Sequence, residues 1–173
     1  YFSSRNVYFA DFKSGLHKKA YRFLDEMQQM EWKSVCLEKK RVYNDLFMMK
    51  DSILELNLNN NNVKTLSPLY LFPNLRSLEF SGNQLQDLSE LQNFPVLEKL
   101  QLNSNQLDTL DSLPQLKSLK ELSLSNNNIA HLAPLKNIPN LTHLDLSANT
   151  IRDVSSIPEL KNLTYLELRS VSL

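Results

Sequence analysis

His143 and Asp145 stand two residues apart, and on a β-strand residues i and i+2 project from the same face, so an imidazole and a carboxylate could meet there. Ser123 and Ser125 lie on the adjacent, preceding repeat and would be the candidate nucleophiles of an acyl-transfer site. The chemistry goes no further. Seryl groups on an exposed sheet lack preorganised oxyanion donors and a pocket that excludes water, both of which such a reaction needs. The three histidines, His17, His131 and His143, share no local spacing that would hold a metal. Cys36 is the only cysteine and has no histidine near it in sequence; it reads as a small residue of a first repeat. With two glycines in the chain, Gly15 and Gly82, neither a P-loop, a dinucleotide-binding turn nor a nucleophile elbow can be written. These residues imply no catalytic centre, no cofactor or metal, and no small-molecule substrate.

What must position them is a repeat. From Ile53 an apolar residue returns every 22 positions, at Leu75, Leu97, Leu119, Leu141 and Leu163, and each unit reads L-x-x-L-x-L-x-x-N-x-L-x-x-L-x-x-L-x-x-L. The seven apolar places are filled in all five complete units, although only 42% of the chain is hydrophobic. Within a unit the period changes. Leucines two apart mark a short strand with alternate residues facing inward, and apolar places three apart mark a return through a 3₁₀-like or short helical turn. All seven prolines fall in returns, where they break no ladder. Asn61, Asn83, Asn105, Asn127 and Asn149 fill the ninth place. An amide carries donors and an acceptor, so this column is expected to satisfy backbone groups at the turn from strand to return, not to hold a ligand. Val171 replaces Asn in the sixth, truncated unit and ends the ladder.

This pattern, over residues 53–173, resembles the leucine-rich repeats of the 22-residue class, as in the regulatory subunit of protein phosphatase 1 and the bacterial internalins. The resemblance implies an α/β solenoid: a curved horseshoe with a concave parallel β-sheet and short helical or 3₁₀ segments on the convex side. It also implies protein binding, although a fold alone does not fix a function.

Upstream, Leu16, Ala20, Phe23, Leu24 and Met27 follow the spacing of one helical face. Residues 1–31 are therefore expected to form an N-terminal helical cap over the exposed sheet edge, and residues 32–52 a degenerate first repeat with Lys40 in the Asn place. A basic amphipathic membrane or partner helix is the rival reading of the cap, and a helix through Val35, Val42 and Leu46 is the rival reading of residues 32–52.

The concave face should carry the third, fifth and seventh residues of each unit. It is polar and mildly acidic, and it has few aromatics. Residues 51–173 hold nine Lys and Arg against thirteen Asp and Glu, which argues against a nucleic-acid surface. No run of about 18 apolar residues exists to span a membrane. Interface hot spots favour Tyr, Trp and Arg. The partner-binding residues are therefore expected among Lys99, Glu121, His143, Asp145, Tyr165, Glu167 and Arg169, with the strongest contacts at the C-terminal end of the face. The partner is expected to be a protein. The alternative is a targeting or regulatory part of a larger protein, such as a bacterial effector or a phosphatase-regulating subunit, with its activity elsewhere. A lone cysteine favours the cytoplasm, or a host cytosol into which the protein is delivered. Because the chain starts at Tyr1 and not Met, a leader or upstream domain would precede it, and a surface or secreted setting stays open.

Overall fold

A computed structural model describes residue 51 and residues 53–171. The expected cap over 1–31 and, except for Asp51, the expected degenerate repeat over 32–52 lie outside the described residues. Six three-residue strands occupy the third to fifth places of successive repeats: β1 (Glu55–Asn57), β2 (Ser77–Glu79), β3 (Lys99–Gln101), β4 (Glu121–Ser123), β5 (His143–Asp145) and β6 (Tyr165–Glu167). They form one open parallel sheet in chain order, and each residue pairs with the one 22 positions on, as in Leu56↔Leu78 and Leu144↔Leu166. The sequence repeat is thus the sheet register itself. The middle residue of each strand points into the core and its neighbours point out.

All but three of the thirty-five apolar places are buried in one continuous core. The exceptions are Leu56 in the first repeat and Val154 and Ile157 in the fifth, with Val154 at 40% exposure. A core place in a solenoid is closed by the repeats on either side, and these three belong to the terminal complete units.

The returns hold 3₁₀ turns at Ser67–Leu71, Ser89–Asn93, Ala133–Asn137 and Ile157–Glu159. The third repeat lacks one. There Pro114 biases Leu113 away from helical dihedrals, and Asn137 of the next repeat takes over the hydrogen bonding: its Nδ2 donates to Leu113 O (2.7 Å) and its O accepts from Leu116 N (3.0 Å). A proline alone is not decisive, since the fifth return has Pro158 in the same place and keeps a single turn.

The Asn column works as expected. Asn83 Nδ2 donates to Leu58 O (2.9 Å) and Phe80 O (3.0 Å), while its Oδ1 accepts from Asn61 N (3.1 Å) and Val63 N (3.0 Å). Asn105, Asn127 and Asn149 each bond the same carbonyls of their own and the preceding repeat, and accept from Leu85, Leu107 and Ile129 N–H. Asn61, first in the column, donates among the described residues only to Asn59 O (2.8 Å).

One column carries no side-chain signature. The eighth residue of every repeat, Asn60, Gly82, Ser104, Asn126, Ala148 and Ser170, has a positive φ between 54° and 68°. This left-handed residue turns the chain out of the strand, and only Gly and Asn adopt it at low cost.

Candidate functional site

The exposed face of the sheet divides into two parts by how its polar groups are used. Toward the N-terminus they are tied to one another. Asn57 and Asn59 Nδ2 both donate to Glu79 Oε2, and Asn59 Oδ1 accepts from Ser81 N (2.7 Å). Asn103 Oδ1 receives Ser125 N (2.8 Å) and Ser123 Oγ (2.6 Å). These bonds link strands laterally and leave short, polar side chains facing solvent.

Toward the C-terminus the face becomes aromatic and charged. The rings of His143 on β5 and Tyr165 on β6 stack with centroids 5.8 Å apart and an interplanar angle of 27°. They meet because the two residues are direct register partners on adjacent strands. Tyr165 is 48% exposed, a large value for an aromatic ring on a sheet. Its hydroxyl donates to Glu167 Oε2 (2.7 Å), and Glu167 Oε1 receives Arg169 Nε at 2.7 Å. That bond to the Glu167 carboxylate, then its negative charge, holds the Tyr165 phenol above its usual pKa. Asp145 accepts from Ser147 N (2.9 Å) at Oδ1, and its Oδ2 lies 3.1 Å from Ser123 Oγ, whose single proton it shares with Asn103 Oδ1. Lys99 pairs with Glu121 across β3 and β4 at 2.8 Å, one strand before His143.

The expected site residues therefore sort into two groups. His143, Asp145, Tyr165, Glu167 and Arg169 come together at β5 and β6, and Lys99 with Glu121 forms a separate ion pair beside them. The candidate pairing of His143 with Asp145 does not form. His143 Nδ1 lies 2.9 Å from Thr142 Oγ1, while the Asp145 carboxylate is taken by two serines. Ser123 accordingly bonds Asn103 and Asp145, with no imidazole to take its proton, so these residues make no relay. Among the described residues no cluster of His, Cys, Asp and Glu is arranged to hold a metal ion, and no helix is long and apolar enough to cross a membrane.

Two further columns emerge only in the folded chain. In the second place, Arg76, Glu98 and Lys120 form a lateral ion network, with Glu98 bridging the two cations at 2.8 and 2.7 Å. Lys120 first, and Arg76 after it, keep the Glu98 carboxyl below its usual range. In the last place, Asn74, Ser118, Asn140 and Asn162 each donate to a backbone carbonyl 23 residues back, at 2.7–2.9 Å. A scan of the sequence for residues at 22-residue intervals would have exposed both columns, but the bonding follows from the parallel register.

The family model described as leucine rich repeats in two copies matches residues 73–115 and again residues 117–159. Among solved structures, internalin C2 of Listeria monocytogenes is 31% identical with a TM-score of 0.64, over 72% of this chain and 54% of that one. A leucine-rich-repeat protein of Leptospira interrogans is 30% identical with a TM-score of 0.63, over 73% of this chain and 33% of that one. The chain thus spans about half the length of the first and a third of the second. No curated protein matches the sequence. Two matched pairs of repeats, on a backbone whose single parallel sheet and Asn ladder follow the same 22-residue frame, make this chain a leucine-rich-repeat protein.

Proposed function

We propose that the protein is a non-catalytic interaction module that binds a partner protein through the concave face of its sheet, with the decisive contacts at β5 and β6. The observation that carries this reading is the exposed His143–Tyr165 stack joined to Glu167 and Arg169. A broad aromatic ring, held flat by a neighbour and pinned at its hydroxyl, loses little conformational entropy on binding, which is why Tyr and Arg dominate interface energetics. The rest of the face offers short polar or charged side chains and, among the described residues, no exposed aromatic ring. The known role of leucine-rich repeats in protein–protein contacts and the likeness to internalin C2 support the same reading.

The test is quantitative capture from cell lysates with the wild-type protein, the double variant Tyr165→Ala and Arg169→Ala, and a control variant Val154→Ser on the return side. Loss of two hot-spot side chains costs roughly 2 kcal/mol or more, about 30-fold in affinity. Proteins captured by wild type and by the control should be depleted to that extent with the double variant. Equal recovery with all three would remove the concave face as the binding site.

A further inference from the structure

The carboxylates of the last three strands are not equivalent. Glu121 is neutralised by Lys99, and Glu167 by Arg169 and the Tyr165 hydroxyl. Asp145 accepts only from uncharged donors, the Ser147 N–H and the Ser123 hydroxyl. Among the described residues its negative charge therefore has no counter-ion on this face. It lies two residues along β5 from His143, about 7 Å away for a strand, and diagonally across from Tyr165 on β6. An unneutralised carboxylate thus borders a flat aromatic shelf that is open to solvent.

Resting on the concave-face reading above, we propose that the partner places a cationic side chain on the His143–Tyr165 shelf with Asp145 as its counter-ion. Arginine is the better fit. Its planar guanidinium stacks on an aromatic face while its N–H groups reach sideways to a carboxylate, whereas the lysine ammonium does one or the other well. The neighbouring charges are compatible with this. Lys99 and Arg169 are each held on a glutamate at 2.8 and 2.7 Å, so neither is left to compete for Asp145. The whole exposed face carries five acids against two bases, which attracts a basic segment toward the site. An acidic partner would meet repulsion from Asp145 and would find Arg169 already engaged.

A random-peptide display library selected on the full chain tests this, followed by synthesis of the best binder with each arginine replaced by citrulline, the neutral isostere. We expect enrichment of arginine, and lysine to a lesser degree, in the selected peptides. Replacing the key arginine by citrulline should weaken binding at least tenfold to the wild-type chain. The variant Asp145→Asn should lose affinity for the arginine peptide to a similar degree and no longer distinguish it from the citrulline peptide. Asn at 145 retains an acceptor for Ser147 N–H, so the variant should keep the wild-type melting temperature, and Glu79→Gln at the other end of the face serves as a control with unchanged binding. Peptides without a basic bias, lost on Tyr165→Ala yet indifferent to Asp145→Asn, would overturn the cation assignment and leave the concave-face reading standing. Peptides indifferent to Tyr165, Arg169 and Asp145 alike, or a library that yields no binder, would overturn both.

Discussion

Replacing single members of the Asn column by alanine should give unequal losses of stability, although the residues hold identical places in the sequence repeat. In Asn83→Ala, the N–H of Val63 loses its acceptor, and Val63 is fully buried. Leu58 O loses its Asn83 donor. Phe80 O is spared, because Asn105 Nδ2 also donates to it at 3.0 Å. Two buried backbone groups are left unsatisfied at about 1–3 kcal/mol each, for roughly 2–6 kcal/mol. In Asn61→Ala the bond to Asn59 O is the only side-chain bond lost among the described residues, for about 0.5–1.5 kcal/mol. For a chain of this size each kcal/mol moves the melting temperature by about 2–4 °C. Urea unfolding followed by circular dichroism measures both variants, and the midpoint should fall far more for Asn83→Ala with an unchanged slope. A reduced slope would show the first repeat melting ahead of the rest, as one-dimensional arrays can. Equal losses for the two variants, or a loss below about 1 kcal/mol for Asn83→Ala, would refute the ladder as the source of the stability.

The remaining predictions address other columns. Ala148 holds a left-handed φ of 54°, so Ala148→Gly should raise stability by up to about 1 kcal/mol and the melting temperature by a few degrees, whereas Gly82→Ala should lower both because its new Cβ would strike the Asn60 side chain. Val63, Leu85, Leu107 and Ile129 N–H each find an Asn oxygen, but the fully buried Ile151 meets Val171 at that place. Val171→Asn should therefore supply an acceptor, add about 1 kcal/mol, and slow hydrogen exchange at the Ile151 amide, while Val171→Ala should do neither. The Tyr165 phenol is held above 10.0 by its bond to Glu167, so that bond is present at neutral pH and is lost only as pH rises through the raised value. A difference titration of tyrosinate absorbance between wild type and Tyr165→Phe should show the late ionisation, and Glu167→Gln should bring it down; ionisation at or below the ordinary tyrosine value would contradict the geometry.

What the sequence made legible depended on how narrowly each place restricts its side chain. A core place admits only Leu, Ile, Val or Phe, and the ladder place needs both amide donors and an acceptor, so these columns read out directly and gave the strands, the returns and the solenoid. The eighth place restricts only φ, and Asn, Gly, Ser and Ala all satisfy it, so it left no pattern until the backbone was seen. The site shows the same limit in another form. His143 and Asp145 were rightly put on one face, but side chains two apart on a strand start about 7 Å from each other, and a carboxylate on a single methylene does not bridge that gap. Longer side chains do: Tyr165 and Arg169 both reach Glu167 from two places away. Short residues instead find partners across the strands, where the spacing is about 5 Å and the sequence separation is near 22, as Ser123 does with Asn103 and Asp145. On this scaffold the chemistry of an exposed residue is therefore set less by its neighbours in the chain than by the residue one repeat away. A substitution at Ser123 or Tyr165 should accordingly alter the surroundings of Asp145 or His143 more than a change at position 144, whose side chain faces the core.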